Sequence, residues 1–413
     1  MSRPEKVRCN VRMPPVAGLE IGSSRTVVGV GEIDSVTKRV KVIGLGTYPS
    51  IGVRKGLVVD MEKAQGCVEA ATKTASKKSG VVIWSVIQGC SGSHLRVETN
   101  PGVLTIRSPN HVVTKEDIEE INEIARDLQV PSEEQLLHSF PQTYKVDEQP
   151  GILRPEGMRC KVLSLNMLEV IGNRNRIENH VNAAKGADLE VTDVVFSGVC
   201  ASMAVLTPEQ RENGTVVIDL GGGTTDYVVY SHNVIATARS IAVGGDHVTN
   251  DIALAFNIPL NRAEEIKRTD GDALVGGADP KNARVTVKDG DVFGEARTIS
   301  RRALQTVINA RMDELFRLIR GELDDAGLLP HLGGGIVLTG GGAYLKGVPE
   351  LAQRIFGVPC RIGVPVNVDG LEEVEQPAAF ATAAGLLLYG YKSYDYTKNT
   401  SSLTSMIRGW FGK

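Results

Sequence analysis

The chain has 413 residues, 42% apolar and 23% charged, the balance of a soluble globular protein with a sizeable core and, at about 150 residues per domain, two to four domains. Its 46 basic and 49 acidic residues give a net charge of -3, which excludes a protein built chiefly to neutralise nucleic-acid phosphate, so no nucleic-acid partner is expected. Glycine is over-used, 45 residues where the average is about 7%, and this predicts tight loops and close backbone approaches.

From the amino terminus, Met1–Pro15 is polar and lacks the apolar core of a signal peptide. Val16–Ile21, Thr26–Ile33 and Val40–Leu45 are β-branched runs that predict a meander, with Gly22-Ser23-Ser24 as its first turn. Asp60–Ser79 carries Met61, Ala64, Val68, Ala71 and Ala75 at helical spacing, and Val81–Ile87 predicts another strand. From Gly89 to about Asn166 the texture changes to short strands, one helix (Lys115–Leu128) and a proline-rich stretch, which reads as a small inserted module. Helix Arg176–Ala187 and strand Val191–Phe196 resume the first domain.

The second half repeats the plan of the first. Leu19-Glu20-Ile21-Gly22-Ser23-Ser24-Arg25-Thr26 aligns with Ile218-Asp219-Leu220-Gly221-Gly222-Gly223-Thr224-Thr225 at an offset of 199 residues. In each copy an apolar strand ends in an acid, turns through small residues and continues as a second apolar strand. Gly244-Gly245-Asp246 opens helix His247–Phe256, the polar stretch Arg268–Thr298 interrupts, and Ser300–Arg320 is again helical. Strand Gly335–Thr339 leads into Gly340-Gly341-Gly342-Ala343 and helix Leu345–Phe356. Ala378–Tyr391 is the longest nearly apolar run; at 14 residues it is too short to span a bilayer and predicts a buried helix. Lys392–Ser401 reads as a polar linker and Ser402–Lys413 as a short amphipathic segment. The six cysteines form no Cys-x-x-Cys pair, so they read as buried thiols of a reducing compartment.

Two facing hairpins with small residues at their tips make a pair of backbone N–H cradles suited to a polyphosphate: Gly22, Ser23 and Ser24 in one, Gly221, Gly222 and Gly223 in the other, with Thr224 and Thr225 adding hydroxyl donors. Glu20 and Asp219 would stand beside the phosphates and hold magnesium through water, because magnesium dehydrates reluctantly. Asp219 is the best candidate to position an attacking water or the metal. Gly340, Gly341 and Gly342 would let backbone approach a flat ligand such as a nucleoside. Gly244 and Gly245 form a fourth such turn, and Asp246 is either an N-cap or a ribose-hydroxyl acceptor. Glu264 and Lys267, one helical turn apart, either bracket the nucleoside or form a surface ion pair. No P-loop, dinucleotide fingerprint, zinc-protease or kinase catalytic motif occurs.

With the Leu338-Thr339-Gly340-Gly341-Gly342 motif, the two hairpins resemble the actin/Hsp70/sugar-kinase ATPase superfamily. Within it the chain is similar, along nearly its whole length, to the FtsA family of bacterial cell-division proteins. That similarity rests on Ile51-Gly52-Val53-Arg54-Lys55-Gly56 with Asp60, on Leu137-His138-Ser139-Phe140-Pro141-Gln142 with Val146-Asp147, on Gly151-Ile152 and Pro155-Glu156-Gly157-Met158, and on Gly244-Gly245-Asp246 with Asp251-Ile252-Ala253. The resemblance implies a two-lobed α/β actin-like ATPase fold. Residues 1–88 and 167–205 would form the first core lobe, 89–166 an inserted small α+β subdomain, 206–243 and 314–391 the second core lobe, and 244–313 its outer subdomain, followed by a linker at 392–401 and a membrane-targeting helix at 402–413. It also implies ATP and Mg2+ in the cleft, self-polymerisation, recruitment of later division proteins, and capture of the carboxy-terminal tail of the tubulin-like protein FtsZ by the outer subdomain. Arg297, Arg301 and Arg302 suit an acidic tail there, and a solvated helix face explains them equally well. One departure is Glu20, where the family usually has aspartate.

The tail can be read without the family. Leu403, Met406, Ile407, Trp410 and Phe411 fall on one helical stripe, and Arg408 and Lys413 add positive charge. A stripe of this kind lies in an anionic membrane surface, weakly as a single copy and firmly as several linked ones, or it docks back on the body. The expected function is an ATP-bound, polymerising adaptor that tethers FtsZ filaments to the cytoplasmic face of the membrane at the division septum, at most a slow ATPase. The rival is a soluble ATPase or kinase of the same superfamily. A third reading, the related adaptors of pilus assembly, does not predict the terminal helix.

Overall fold

The computed structural model describes residues 13–34, 36–276, 283–287 and 297–399. Its core is one topology used twice. In the first sheet, Val16–Ile21 pairs antiparallel with Arg25–Ile33, which pairs antiparallel with Val40–Pro49; on its other side Val16–Ile21 runs parallel to Ser85–Cys90, which runs parallel to Glu190–Phe196. In the second, Thr215–Leu220, Thr225–Ser231 and Val234–Ile241 take the antiparallel places, while Ile336–Thr339 and Cys360–Ile362 take the parallel ones. The alternating β-branched pattern of both meanders is what pairs them this way, since each strand buries apolar residues on both faces.

Helices Ser197–Val205 and Ala381–Asn399 pack against each other between the lobes, with Gly385 pressed on the Cys200 carbonyl. Val195, Cys200, Val228, Tyr230 and Leu386 therefore share one core that spans both halves. Helix Met61–Ser79 lies across the first sheet through Ala64, Val68, Ala71 and Ala75, and its small side chains let Gly46 meet the helix backbone directly.

The inserted module is a four-stranded sheet, in spatial order Leu95–Thr105, Val162–Asn173, Glu134–Val146 and Gln149–Ile152. Helix Lys115–Arg126, opened by a Thr114–Asp117 capping box, covers it through Ile118, Ile121 and Ala125. Its last strand runs on to Asn173, past the boundary expected at 166. The outer subdomain of the second lobe comprises helices Gly245–Phe256 and Leu260–Asp270, the hairpin Arg284–Val287/Arg297–Ser300 and the first part of helix Arg301–Asp325. Arg311 clamps two of these helices with a forked pair to Asp251 at 2.7 and 3.0 Å.

Two expectations are corrected. The strand expected at Val81–Ile87 runs instead from Ser85 to Cys90, because that register completes its pairing with both neighbours, and residues 81–84 form a connecting segment. Residues 392–399, read as linker, continue the helix that begins at Ala381. Once an apolar segment has nucleated a helix, polar residues extend it at little cost. Residues 402–413, with the expected membrane stripe, lie outside the described residues. Among the described residues no helix is long and apolar enough to cross a membrane.

Candidate functional site: a cleft between two matched hairpins

The two lobes enclose a cleft of about 1170 Å³, room enough for a ligand larger than an ordinary small molecule. Its hairpins are built alike: Gly22 N–H donates to the Arg25 carbonyl at 3.1 Å and Gly221 N–H to the Thr224 carbonyl at 3.0 Å. A β-carbon at either glycine would lie 2.8 or 2.9 Å from that carbonyl, so only glycine closes these turns without strain. The tips meet across the cleft, Gly222 against Ser24 and Gly223 against Ser23. The start of helix Gly245–Phe256 is tied to the second hairpin: Gly245 N–H donates to the Gly221 carbonyl at 3.0 Å and Asp246 N–H to that of Gly222 at 2.8 Å. Gly244 is the cap, and Asp246 is the second residue of the helix, in its first turn, and lines the cleft.

Three carboxylates form the floor. Register places Asp226 directly opposite Asp219, and Asp219 opposes Glu20 from the other lobe. Burial, then the neighbouring Asp219, pushes Glu20 up to about 8. Burial pushes Asp219 to about 6 despite the Thr382 hydroxyl, which donates to it at 2.9 Å, and despite Arg25 nearby. Asp226 rises to about 7 by burial, although Ser240 and Ser91 hydrogen-bond to it, Ser91 at 2.7 Å. Arg25 lowers Glu20 and Asp219 alike; its guanidinium lies 5.2 Å from the centre of the Phe380 ring and abuts Gly341. Without a cation the floor therefore keeps protons on its buried carboxyls near neutral pH, on Glu20 above all.

Most of the expected residues converge here: Glu20, Gly22, Ser23, Ser24, Asp219, Gly221, Gly222, Thr224, Gly244, Gly245, Asp246, Glu264, Lys267, Gly340, Gly341 and Gly342 all line the cleft. Glu264 and Lys267 form the expected ion pair, at 2.6 Å, on the cleft wall, and Lys267 also donates to the Gly245 carbonyl at 3.0 Å. Thr225 is a correction: it is fully buried, and its hydroxyl donates to the Val243 carbonyl at 2.8 Å, because alternation along the strand turns it away from the face that Asp226 shares with Asp219. Gly223 serves the turn and packs on Ser23 and Lys55. Arg25, Ser91, Asp226 and Thr382 were not expected as site residues. For Asp226 the signal was the hairpin register; for Ser91 and Thr382 the sequence holds none. Away from the cleft, Arg301 is paired with Asp270 at 2.8 Å, Arg302 is exposed, and Arg297 begins a strand while its side chain lies outside the described part. Leu403, Met406, Ile407, Arg408, Trp410, Phe411 and Lys413 also lie outside it.

Comparison with known proteins accords with this architecture. A family model described as "Cell division protein FtsA" matches residues 216–385, and one described as "SHS2 domain inserted in FTSA" matches residues 92–171, the module. The cell division protein FtsA of Pseudomonas aeruginosa is 36% identical over 376 residues, covering 91% of this chain and 89% of that protein. That of Escherichia coli K12 is 36% identical over 389 residues, covering 92% and 91%. Among solved structures, the PilM-PilN type IV pilus biogenesis complex superposes with a TM-score of 0.62 at 21% identity, covering 91% of this chain and 98% of the other. MreB5 of Spiroplasma citri bound to ADP superposes with a TM-score of 0.54 at 16% identity, covering 94% and 99%. These two likenesses show the fold, a mixed α/β actin-like architecture, whereas the sequence identities over nine-tenths of the chain show the family. The chain belongs to the FtsA family of cell-division proteins.

Proposed function

We propose that the chain binds ATP with magnesium in the cleft, polymerises on the cytoplasmic face of the cell membrane through its terminal helix, and tethers FtsZ filaments there at the division septum. The observation that carries the nucleotide part is the pair of matched hairpins over an acidic floor. Their backbone N–H groups would hold the phosphates, and the Gly340–Gly342 turn with the Glu264–Lys267 wall would bound the nucleoside. The solved MreB5 structures, described as bound to ADP and to AMPPNP, support a nucleotide in this fold.

Magnesium fits the floor through water. Burial holds Glu20, Asp219 and Asp226 above the ordinary carboxylate range, so a cation bound beside them would take the place of their protons. Magnesium keeps several of its waters, so carboxylates at this distance from one another would hold it through them. When bound, magnesium would neutralise the phosphates; Asp219, held by the Thr382 hydroxyl and beside Arg25, would position a water there.

The partner surfaces follow the family. Arg302, exposed on the outer subdomain, with Arg297, would meet the acidic FtsZ tail, while Arg301 stays engaged by Asp270 and shapes that face. Later division proteins would join the assembled filament. Co-sedimentation with anionic vesicles tests the reading: the full chain should pellet, more strongly with ATP and magnesium, and the Trp410→Glu variant should not. Absence of pelleting under every condition would move the soluble ATPase ahead.

A further inference from the structure

At the end of the first lobe remote from the cleft, the chain leaves helix Met61–Ser79 through Gly80 and enters strand Ser85–Cys90 by way of Val81-Val82-Ile83-Trp84. Val81 and Ile83 pack against the core under the helix. Their alternates do not: Val82 is 68% exposed and Trp84 75%. An exposed tryptophan beside a second exposed apolar side chain is surface without a partner in the monomer. The two rim an apolar groove of about 420 Å³, whose opposite wall is Pro14, Pro15 and the last helix at Tyr389 and Ser393.

Three observations say what covers this surface. Helix Ala381–Asn399 starts at the cleft, where Thr382 touches Asp219, and passes the groove at Tyr389–Ser393, so its last described residue, Asn399, lies toward this end of the lobe. Lys77 and Lys78 occupy the last turn of the helix that feeds the segment, and Lys38 is exposed on the turn at the same end of the sheet. The sequence that joins the groove at Pro14 carries Arg3, Lys6, Arg8 and Arg12 against a single acid, Glu5. Acids stand at this end too: Asp188 and Glu190 are exposed, Glu32 and Asp34 adjoin the turn that carries Lys38, and Asp193 is taken by the Tyr389 hydroxyl at 2.6 Å.

We infer that Val82 and Trp84 are a second lipid-contacting element, which enters the anionic bilayer surface beside the tail. This rests on the tethering reading and sharpens it. Tryptophan favours the headgroup boundary, and neighbouring lysines favour anionic lipid. One short terminal helix binds weakly, and a second contact on the rigid body raises the effective concentration of both. Two contacts also fix orientation, so the end opposite the cleft faces the bilayer.

The chain has two tryptophans, Trp84 and Trp410, so each can be made the sole emitter in the full-length protein. In Trp410→Phe, Trp84 emission should shift to the blue and be quenched by brominated acyl chains in phosphatidylglycerol vesicles, and not in phosphatidylcholine ones. In Trp84→Phe, Trp410 reports on the tail alone. Quenching of Trp410 with Trp84 unchanged overturns the inference and leaves the tether standing; silence from both overturns both. A blue Trp84 without vesicles that reddens on deletion of residues 402–413, or on dilution, assigns the groove to the tail or to a second copy and overturns the inference too. Trp84→Glu, with Trp410 intact, should weaken vesicle binding by about five- to tenfold, with an unchanged thermal transition in solution; undiminished binding would count against the proposal.

Discussion

The carboxylate of Asp219 occupies the space that a β-carbon of Gly340 would need, and Gly340 holds φ at +79°, a conformation that glycine alone adopts freely. The turn after strand Ile336–Thr339 is thereby moulded onto the acid at the end of strand Thr215–Leu220, its parallel neighbour. Gly340→Ala should cost about 1–3 kcal/mol of stability and displace Asp219. Urea unfolding reads the first effect. Titration with a fluorescent ATP analogue reads the second, as a loss of about tenfold or more in affinity. Unchanged affinity would place Asp219 outside the site.

The charged floor makes stability depend on pH. In the nucleotide-free protein Glu20 keeps its proton to about pH 8 and Asp226 to about 7, both through burial, whereas in the unfolded chain such groups titrate near 4. The folded state therefore binds more protons through this window, and its stability falls as pH rises. Burial acts the other way on His94 and His138, each lowered to about 4, so below about pH 7 they mask the trend. Lys392, lowered to about 8 by burial, opposes this between pH 7 and 8.5, so the wild type should lose about 1 kcal/mol net there, and Glu20→Gln less. Denaturant melts at both pH values check this. ATP with magnesium should flatten the slope and release protons, which calorimetry in two buffers of different ionisation enthalpy would count.

Thr224 and Thr225 are adjacent and face opposite ways. Thr224 lines the cleft and accepts a hydrogen bond from Ser91 at 3.0 Å, while Thr225 donates into the sheet. Thr225→Val should therefore destabilise by about 1–3 kcal/mol, since it leaves the Val243 carbonyl without that donor, yet keep nucleotide affinity. Thr224→Val should do the reverse. A common effect of the two on ATP binding would contradict the alternation.

The contrast shows what a linear reading could see. The repeat was legible because Glu20 and Asp219 stand at the same place in two local patterns, and turn chemistry is local. Thr225 was taken for a ligand because composition marks a loop without saying which way each side chain points. Asp226 lay inside the quoted motif and needed only the hairpin register to be set opposite Asp219. Ser91 and Thr382 were out of reach, since they arrive at Asp226 and Asp219 from 135 and 163 residues away by packing alone. Composition also misled at 392–399, where polarity suggested a linker and helix propagation prevailed.

The inserted module holds the second lobe as well as the first. His138 accepts the Phe196 N–H at 2.9 Å on the first-lobe side, and Gln142 donates to the Ala236 carbonyl of strand Val234–Ile241 at 3.0 Å. At the hinge, Gly92 N–H donates to the Ser240 hydroxyl at 2.9 Å, and Ser91 reaches both Ser240 and Asp226. Strand Val234–Ile241 lies at the edge of the second sheet, so the Gln142 bond satisfies a strand carbonyl that would otherwise open to solvent, while Ser240 is held through its side chain. Gln142→Ala combined with Ser240→Ala should loosen that edge without unfolding the core. Amide hydrogen exchange should quicken in Val234–Ile241 by about tenfold, roughly 1.4 kcal/mol of local opening, and stay unchanged in Thr215–Leu220. Because Ser240 also hydrogen-bonds to Asp226, the same variant should weaken nucleotide binding, and Gln142→Ala alone should not. Equal exchange in both strands would mean that the module rides on the first lobe only.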